Sequence, residues 1–349
     1  MMIEGARAEI DLTAITKNLA TVRAAAPGRK VMAVIKADAY GHGAEKVAKH
    51  LTAVDALAVA RIGEAVALRQ AGIDRPLVVM EGIFDAEGAR LAEALDLDLV
   101  VHAPYQAALI KKATCKVWLK VETGMNRLGL TTDQLATCLQ QIPEQRILGL
   151  MSHLSDADAP EKAKNGLQLN RLMVEADRYG LPTCLGNSAS ILGGSAGDCD
   201  WVRPGLMLYG VSPLSGALPP LHPAMSLKAP VIAVKSVPAG ATIGYGSTWT
   251  APDERTVAVL AIGYADGYPR EIKPGTEVWL GQREQEILGR VSMDMTVIST
   301  KDGDVPQIGD EAELWGLRIS VAKVAAAAHT LPYVLLSGLS HRVLRSYRE

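Results

Sequence analysis

Strand and helix patterns alternate along about 200 residues of the chain. Short apolar runs, typical of strands buried on both faces, are separated by segments whose apolar residues recur at i, i+3, i+4 and i+7, as in residues 44–51 and 62–71. Repeated strand–helix units of this kind predict a parallel sheet. The predicted strands are residues 31–36, 56–60, 77–80, 97–101, 117–121, 147–151, 183–185 and 201–203.

Eight parallel strands can close into a barrel. A (β/α)8 barrel brings all its strand ends to one mouth, where enzymes of this architecture place their reactive groups. An open doubly wound sheet is the alternative topology, but no G-x-G-x-x-G motif follows the first strand of the repeat. We therefore predict an α/β chain that begins with a (β/α)8 TIM-type barrel.

Near residue 225 the pattern changes, because helical periodicity gives way to short strands separated by Gly, Pro and Asp turns. We predict a barrel domain over residues 1–224 and a mostly β domain over 225–349, with the border in the Pro-rich stretch 218–223 and a late helix near 320–329. The predicted strands of the second domain are residues 231–237, 256–262, 277–280, 286–291 and 296–299.

The composition excludes several classes of protein. Hydrophobic residues at 48% and charged residues at 21% are typical of a globular protein, and a net charge of −2 gives no reason to expect nucleic acid or an anionic membrane as partner. The four cysteines lie far apart, without the C-x-x-C spacing of a zinc or redox site. Because the start of the chain has no signal-like apolar region, we expect a cytoplasmic protein. The histidines also lack metal-ligand spacing, so we expect no metal.

Lys36 ends the first predicted barrel strand and so lies at the predicted barrel mouth. An amine at such a place can form a Schiff base with an aldehyde, and pyridoxal 5′-phosphate is the commonest protein-bound aldehyde. The alternative is a lysine whose stem covers apolar surface while its ammonium reaches water. For Lys36 taken alone, that alternative is favoured.

The loops after the seventh and eighth barrel strands can hold a phosphate group. Asn187 and Ser188 follow the seventh strand, where Ser188 can cap the next helix and donate a hydroxyl; taken alone, the pair is better explained by plain helix capping. Arg203 and Gly205 follow the eighth strand. Arginine keeps its proton and can only donate to a pyridine nitrogen, although an ion pair of Arg203 with Asp198 or Asp200 is the alternative.

Eight segments together carry a family resemblance. They occur in the family's order and span nearly the whole chain, which resembles the bacterial alanine racemases. The segments are VIKADAYGHG at 34–43, ETGMNRLG at 122–129, SHL at 152–154, NSA at 187–189, RPGLMLYG at 203–210, GYG at 244–246, GYADGYPR at 263–270 and GRVSMD at 289–294.

The resemblance implies a pyridoxal-phosphate enzyme that interconverts L-alanine and D-alanine and supplies D-alanine for peptidoglycan. It implies a homodimer in which each site borrows residues from the other subunit's β domain. Racemisation needs one base on each face of the stereocentre, and the resemblance assigns these roles to Lys36 and to Tyr245 of the partner chain.

The resemblance also assigns the remaining site residues. The implied cofactor-binding residues are Lys36, Tyr40, Arg127, His153, Asn187, Ser188, Arg203, Gly205 and Leu206. The implied substrate-binding residues are Arg127, Tyr264, Met293 and Asp294. The implied access corridor contains Asp158, Arg270 and Arg290.

Lys120 is implied to be carbamylated and to orient Arg127. In VWLKVE at 117–122, a period of two places Lys120 on the same face as Trp118 and Glu122. If that face points into the barrel, a bare ammonium is costly unless it is paired. Pairing of Lys120 with Glu122 is the simpler alternative to carbamylation.

His341 departs from the family pattern, because some members carry a tyrosine there that narrows the substrate pocket. Activity on serine or a broader set of small amino acids is therefore an alternative to strict alanine racemisation. An amino-acid decarboxylase is a second alternative, which Arg203 opposes because an acidic residue is expected opposite the ring nitrogen of such an enzyme. A non-catalytic pyridoxal-phosphate-binding protein is a third, which Tyr245 and Tyr264 oppose.

Overall fold

Eight short parallel strands close into a barrel in the computed structural model, which describes residues 5–216, 219–300 and 305–349. Parallel pairing of Lys30 with Trp201 joins the last strand to the first and completes the closure. The barrel strands are β2 (Lys30–Val34), β3 (Ala56–Val59), β4 (Leu77–Val79), β5 (Asp98–Val101), β6 (Val117–Lys120), β7 (Ile147–Met151), β8 (Thr183–Gly186) and β9 (Trp201–Val202). The predicted barrel and its eight apolar runs are confirmed.

Helices connect the barrel strands in the order that the sequence predicts. Burial of one face fits these segments to the outside of the barrel, as in α8, where Leu172 and Ala176 are buried at i, i+4 spacing. The helices of this part are α1 (Leu12–Ala25), α2 (Lys36–Gly41), α3 (Ala44–His50), α4 (Ile62–Gln70), α5 (Ala86–Ala94), α6 (Pro104–Leu109), α7 (Thr132–Gln141), α8 (Ala163–Tyr179) and α9 (Ser188–Leu192).

The second part of the chain is mostly β. A mostly antiparallel sheet is centred on the 13-residue strand β10, which pairs with β1, β13 and β17. The strands are β1 (Arg7–Asp11), β10 (Met225–Val237), β11 (Thr242–Ile243), β12 (Trp249–Thr250), β13 (Arg255–Leu260), β14 (Glu277–Leu280), β15 (Arg283–Glu286), β16 (Thr296–Ser299), β17 (Glu311–Trp315) and β18 (Leu344–Arg348); the helices are α10 (Val321–Ala327) and α11 (Pro332–Ser337).

Two compact units result, one of Ile15–His222 and one of residues 5–14 together with 223–349. β1 was assigned to the barrel domain by the predicted boundary, but it pairs with β10 and β18 of the other unit. That pairing buries Ala8 and Ile10, which a sequence pattern cannot attribute to one sheet or another. Of the predicted border stretch 218–223, residue 218 lies outside the described residues.

Two local predictions are wrong. Lys36 does not end a strand, because β2 stops at Val34 and Lys36 begins the next element. The strand predicted over residues 286–291 is displaced to Arg283–Glu286. Gly289 explains the second shift, since its φ of 67° is incompatible with an extended strand.

Candidate active site

The carboxyl ends of the barrel strands gather the predicted cofactor-binding residues at one rim. Lys36 lies two positions beyond β2, and Lys120 ends β6. His153, Ser188 and Arg203 follow β7, β8 and β9 respectively. Parallel strands of a closed barrel all end on the same side, so residues far apart in sequence share this mouth.

Lys36 is followed by a left-handed helical turn. Ala37, Asp38, Ala39 and Tyr40 have φ values of 52–54°, although none of them is glycine. This conformation costs about 1–2 kcal/mol per residue in an L-amino-acid chain. No residue pattern predicts this turn, and the rest of the fold must hold it in place.

Side-chain contacts support the turn. The Asp38 carboxylate accepts a hydrogen bond of 2.7 Å from the Ala44 amide. The Tyr209 hydroxyl donates to the Val34 carbonyl at 3.0 Å, and its ring lies 4.9 Å from that of Tyr40. Tyr209 was not predicted to have a role; it stands in the quoted RPGLMLYG segment, which was the only signal for it.

The loop after β8 presents a hydroxyl to the rim. Asn187, rather than the predicted Ser188, caps α9, since its side-chain oxygen accepts from the Ser190 amide at 3.0 Å. The Ser188 hydroxyl oxygen instead accepts from the amides of Gly205 and Met207, at 3.0 and 3.2 Å. Because its oxygen accepts these bonds, its proton is available to donate to an anion.

Gly205 brings Tyr40 against this loop. A Cβ atom at position 205 would lie 2.5 Å from the Tyr40 hydroxyl oxygen, a distance that no real contact tolerates. Glycine is therefore required for Tyr40 to approach. Tyr40, Ser188 and Gly205 thus converge as predicted, with Leu206 buried beside them.

Arg203 is 6% exposed and held from several sides. Its guanidinium donates to the carbonyl oxygens of Cys184 and Ser152, each at 2.8 Å, and approaches His153 Nδ1 at 3.2 Å. Burial, and secondarily the positive charge of Arg203, lower the pKa of His153 to about 3. His153 is therefore neutral, and its Nδ1 can accept the hydrogen bond from Arg203.

The alternative ion pairs of Arg203 are not formed. Asp198 instead accepts from Arg29 at 2.8 Å. Asp200 accepts from the Thr183 amide and hydroxyl at 2.8 and 3.0 Å. Arg203 thus keeps its charge at the rim without a carboxylate partner among the described residues.

Positive charge accumulates around the two lysines. Burial lowers the pKa of Lys36, and the positive charge of Arg127 lowers it further, while Glu81 and Glu64 oppose the change. Burial also lowers the pKa of Lys120 to about 8, with further contributions from Arg203, Arg127 and Lys36. A rim of this kind favours an anionic ligand.

Lys120 does not pair with Glu122. The Glu122 carboxylate accepts hydrogen bonds from the amides of Gly124 and Asn126, at 2.5 and 3.0 Å, within the loop that carries Arg127. Within residues 5–216, 219–300 and 305–349, no carboxylate lies within ion-pair distance of Lys120. The simpler of the two sequence-based alternatives for Lys120 is therefore wrong.

The predicted substrate-binding residues of the β unit lie together. The Tyr264 amide donates to the Ser292 carbonyl at 3.1 Å, next to Met293. Arg342 pairs with Asp294 at 2.8 Å and with Asp266 at 3.2 Å. Arg342 was not predicted to have a role, although it directly follows His341 in the closing segment.

Tyr245 stands in a one-turn 3-10 helix between two glycines. Gly244 and Gly246 have φ values of 74° and 75°, a region that favours glycine. The ring is 69% exposed, which is unusual for an aromatic side chain. Arg290 packs behind the turn, since a Cβ atom at Gly246 would lie 3.3 Å from its guanidinium.

The other predicted residues have exposed side chains. Arg127 is exposed on the loop between β6 and α7, and Asp158 is exposed between β7 and α8. Arg270 pairs with its neighbour Glu271. His341 is exposed beside Arg342.

Comparisons with known proteins identify the family of the chain. The profile for the alanine racemase N-terminal domain matches residues 10–213, and that for the alanine racemase C-terminal domain matches residues 224–347. The chain belongs to the alanine racemase family. The family resemblance and the predicted class of enzyme, a racemase, are thereby confirmed.

Individual relatives cover almost the whole chain. An alanine racemase of Yersinia pestis is 41% identical over 99% of both chains. The crystal structure of the biosynthetic alanine racemase from Pseudomonas aeruginosa superposes with a TM-score of 0.91 at 37% identity, covering 99% of this chain and 100% of the other. A Bartonella henselae alanine racemase, whose structure has covalently bound pyridoxal phosphate, superposes with a TM-score of 0.88 at 28% identity, covering 99% of each chain.

No helix in the described part of the chain combines the length and apolar character that a membrane crossing needs.

Lys120 makes the stability of this racemase depend on pH. Its pKa is about 8 in the folded protein and about 10.5 in an unfolded chain, so between these values the unfolded state binds more protons. We expect the free energy of unfolding of the wild type, relative to Lys120→Met, to rise as the pH increases from 8 to 10.5. Urea unfolding in carbon-dioxide-free buffer measures this difference.

The exposed Lys112→Met variant is the control, and its difference from the wild type should show no comparable slope. A pH-independent difference for Lys120→Met would contradict the burial of a bare ammonium at the rim.

Proposed function

We propose that the protein is an alanine racemase that interconverts L-alanine and D-alanine with pyridoxal 5′-phosphate as its cofactor. The observation that carries this proposal is made at one barrel mouth. Lys36 lies there together with hydroxyl groups that can donate hydrogen bonds to a phosphate, and with an arginine that has no carboxylate partner among the described residues. The family membership of the chain supports it. So does the cofactor named for the Bartonella henselae relative.

The residues at the mouth fit this cofactor. Its phosphate requires hydrogen-bond donors, for which Tyr40 and Ser188 offer hydroxyl groups next to the backbone at Gly205 and Leu206. Asn187 contributes indirectly, because its side chain caps α9 and so fixes Ser188. The positive rim supplies the charge that a dianionic phosphate needs.

Lys36 would hold the cofactor aldehyde, because its depressed pKa makes the neutral, nucleophilic amine more accessible. Arg203 would face the pyridine nitrogen. Its contacts with Cys184, Ser152 and His153 fix its direction, and its permanent charge allows it only to donate a hydrogen bond. This donor opposes a decarboxylase, in which a carboxylate is expected at that place.

The bound cofactor supplies an electron sink that acidifies the substrate Cα–H bond. Inversion then requires a proton to leave one face of Cα and another to arrive at the opposite face. A single rigid side chain reaches only one face, so two bases are needed. We assign one face to the Lys36 amine and the other to the Tyr245 hydroxyl.

Tyr245 would come from a second copy of the chain. Its high exposure leaves the ring available to a neighbouring subunit, as do the exposed side chains of Tyr264 and Met293. Asp294 would act with them, held by Arg342. We therefore propose a homodimer with shared active sites, in which Asp158, Arg270 and Arg290 lie along the access route.

Arg127 would bind the substrate carboxylate and the cofactor oxygen. Its loop is shaped by Glu122, whose carboxylate accepts several backbone amides. Carbamylation of Lys120 would place an anion beside Arg127, and the lowered pKa of Lys120 favours the neutral amine that this reaction consumes. We propose this modification, and with it a cytoplasmic enzyme that supplies D-alanine for peptidoglycan.

The function is tested by the reaction itself. The purified wild type with pyridoxal phosphate should exchange the Cα proton of L-alanine for solvent deuterium and form D-alanine. Lys36→Ala should lose the visible absorption of the bound cofactor and activity together, because the cofactor has no amine to bond. Release of carbon dioxide instead would identify a decarboxylase, and binding without exchange would identify a carrier.

D-serine formation, measured beside D-alanine formation, decides the breadth of the substrate range. Similar rates for D-serine and D-alanine formation would favour a racemase with a broader substrate range, the alternative that His341 suggests.

Tyr245→Phe removes one base and leaves the other. We expect Cα exchange to fall by about 10²–10⁴-fold for one enantiomer and far less for the other, because each base serves one face. Deuterium incorporation into L-alanine and D-alanine, measured separately, tests this. Tyr105→Phe, which removes an exposed hydroxyl of α6, should leave both rates unchanged; equal losses for both enantiomers in Tyr245→Phe would remove its assigned role.

Carbamylation is tested by mass. Native mass spectrometry in bicarbonate buffer should show one added carbon dioxide per chain in the wild type and none in Lys120→Met. An unmodified wild-type chain under these conditions would reject the modification.

A further inference from the structure

Glu64 connects the turn that follows Lys36 to the beginning of α4. One carboxylate oxygen, Oε1, accepts a hydrogen bond of 2.6 Å from the Ala37 amide. The other, Oε2, accepts from the amides of Ala60 and Arg61 at 2.8 and 3.0 Å. A single side chain thus fastens the first residue of the left-handed turn to the segment between β3 and α4.

The Ala37 amide belongs to the peptide bond that carries the Lys36 carbonyl. Fixing the direction of this N–H therefore fixes the peptide plane beside the Lys36 Cα atom, and with it the direction in which the lysine side chain leaves the backbone. The next three residues are all left-handed and strained. The turn has a second tie at Asp38, whose carboxylate accepts from the Ala44 amide.

Two properties suit Glu64 to this place. A carboxylate offers two acceptor oxygens, so one side chain can bind amides on both sides of the gap, and hydrogen bonds to a charged acceptor are stronger than neutral ones. Glu64 also stands in the first turn of the nine-residue α4, where a negative charge is favoured. Its charge lies close enough to Lys36 to influence the lysine.

We propose that Glu64 is a positioning residue for Lys36: its carboxylate bridges the Ala37 amide to the Ala60 and Arg61 amides and so holds the strained turn in the conformation that presents the lysine amine to the barrel mouth. The consequence for catalysis rests on the function proposed above. The consequence for the backbone does not, and the test uses both.

Glu64→Gln separates this role from helix capping. Glutamine can still accept a hydrogen bond from the Arg61 amide, as it does in capping boxes. It has only one acceptor oxygen, however, and its side-chain NH2 group cannot accept from the Ala37 N–H. We expect amide hydrogen exchange in the peptide covering residues 35–44 to quicken about tenfold or more in cofactor-free protein, with other barrel peptides unchanged.

In the enzyme loaded with pyridoxal phosphate, Glu64→Gln should lower kcat about tenfold or more and change KM for L-alanine little, because Arg127 and not Lys36 holds the substrate carboxylate. Loss of kcat with unchanged exchange at residues 35–44 would overturn the proposal.

Three variants make the test specific. Glu45→Gln removes a carboxylate of α3 that pairs with Lys49, and Gln134→Ala removes half of the capping box of α7; neither should affect the peptide at 35–44. Glu64→Asp keeps the charge but is one methylene too short to bridge, so it should quicken exchange as Glu64→Gln does. Wild-type exchange in Glu64→Asp would overturn the bridging role, and so would a uniform increase across all barrel peptides in Glu64→Gln.

If the wild type does not racemise alanine, the function proposed above fails, while local exchange at residues 35–44 still reports whether Glu64 holds the turn.

Discussion

The concentration of positive charge at one end of the barrel is the constraint on which the rest of the site depends. Lys36, Lys120, Arg127 and Arg203 gather where the strands end, and burial together with their mutual repulsion lowers the pKa values of both lysines. Such a cluster is costly without anions. A cofactor phosphate and a substrate carboxylate would each relieve it, so the site is built to be completed by its ligands.

The groups next to these cationic side chains leave their positive charge at the rim. His153 is neutral because burial and Arg203 depress its pKa, and a neutral imidazole can accept from the guanidinium instead of repelling it. Glu122 uses its charge on backbone amides, which leaves the rim cationic while shaping the Arg127 loop. The Glu122 carboxylate therefore organises backbone and forms no ion pair with the arginines of the rim.

The backbone that follows Lys36 also depends on contacts with other parts of the chain. Four left-handed residues cannot be stable on their own, because each carries a steric penalty of about 1–2 kcal/mol. Two hydrogen bonds tie the segment to residues outside it, because Glu64 accepts from the Ala37 amide and Asp38 accepts from the Ala44 amide. The strain is thus tied to the place where the side chain must be aimed, and a rigid barrel supplies the support.

The sequence by itself determined the barrel, the change to a β unit and the identity of most rim residues. The pattern of apolar residues is local, so runs such as 117–121 and 147–151 predict their strands directly, and the motifs identify the family. Only the tertiary structure decided the pairing of β1, the exchange of roles between Asn187 and Ser188, the left-handed turn and the contact of Glu64 with Ala37. Each of these depends on a partner distant in sequence or on a strained conformation, and neither leaves a periodic trace in the order of residues.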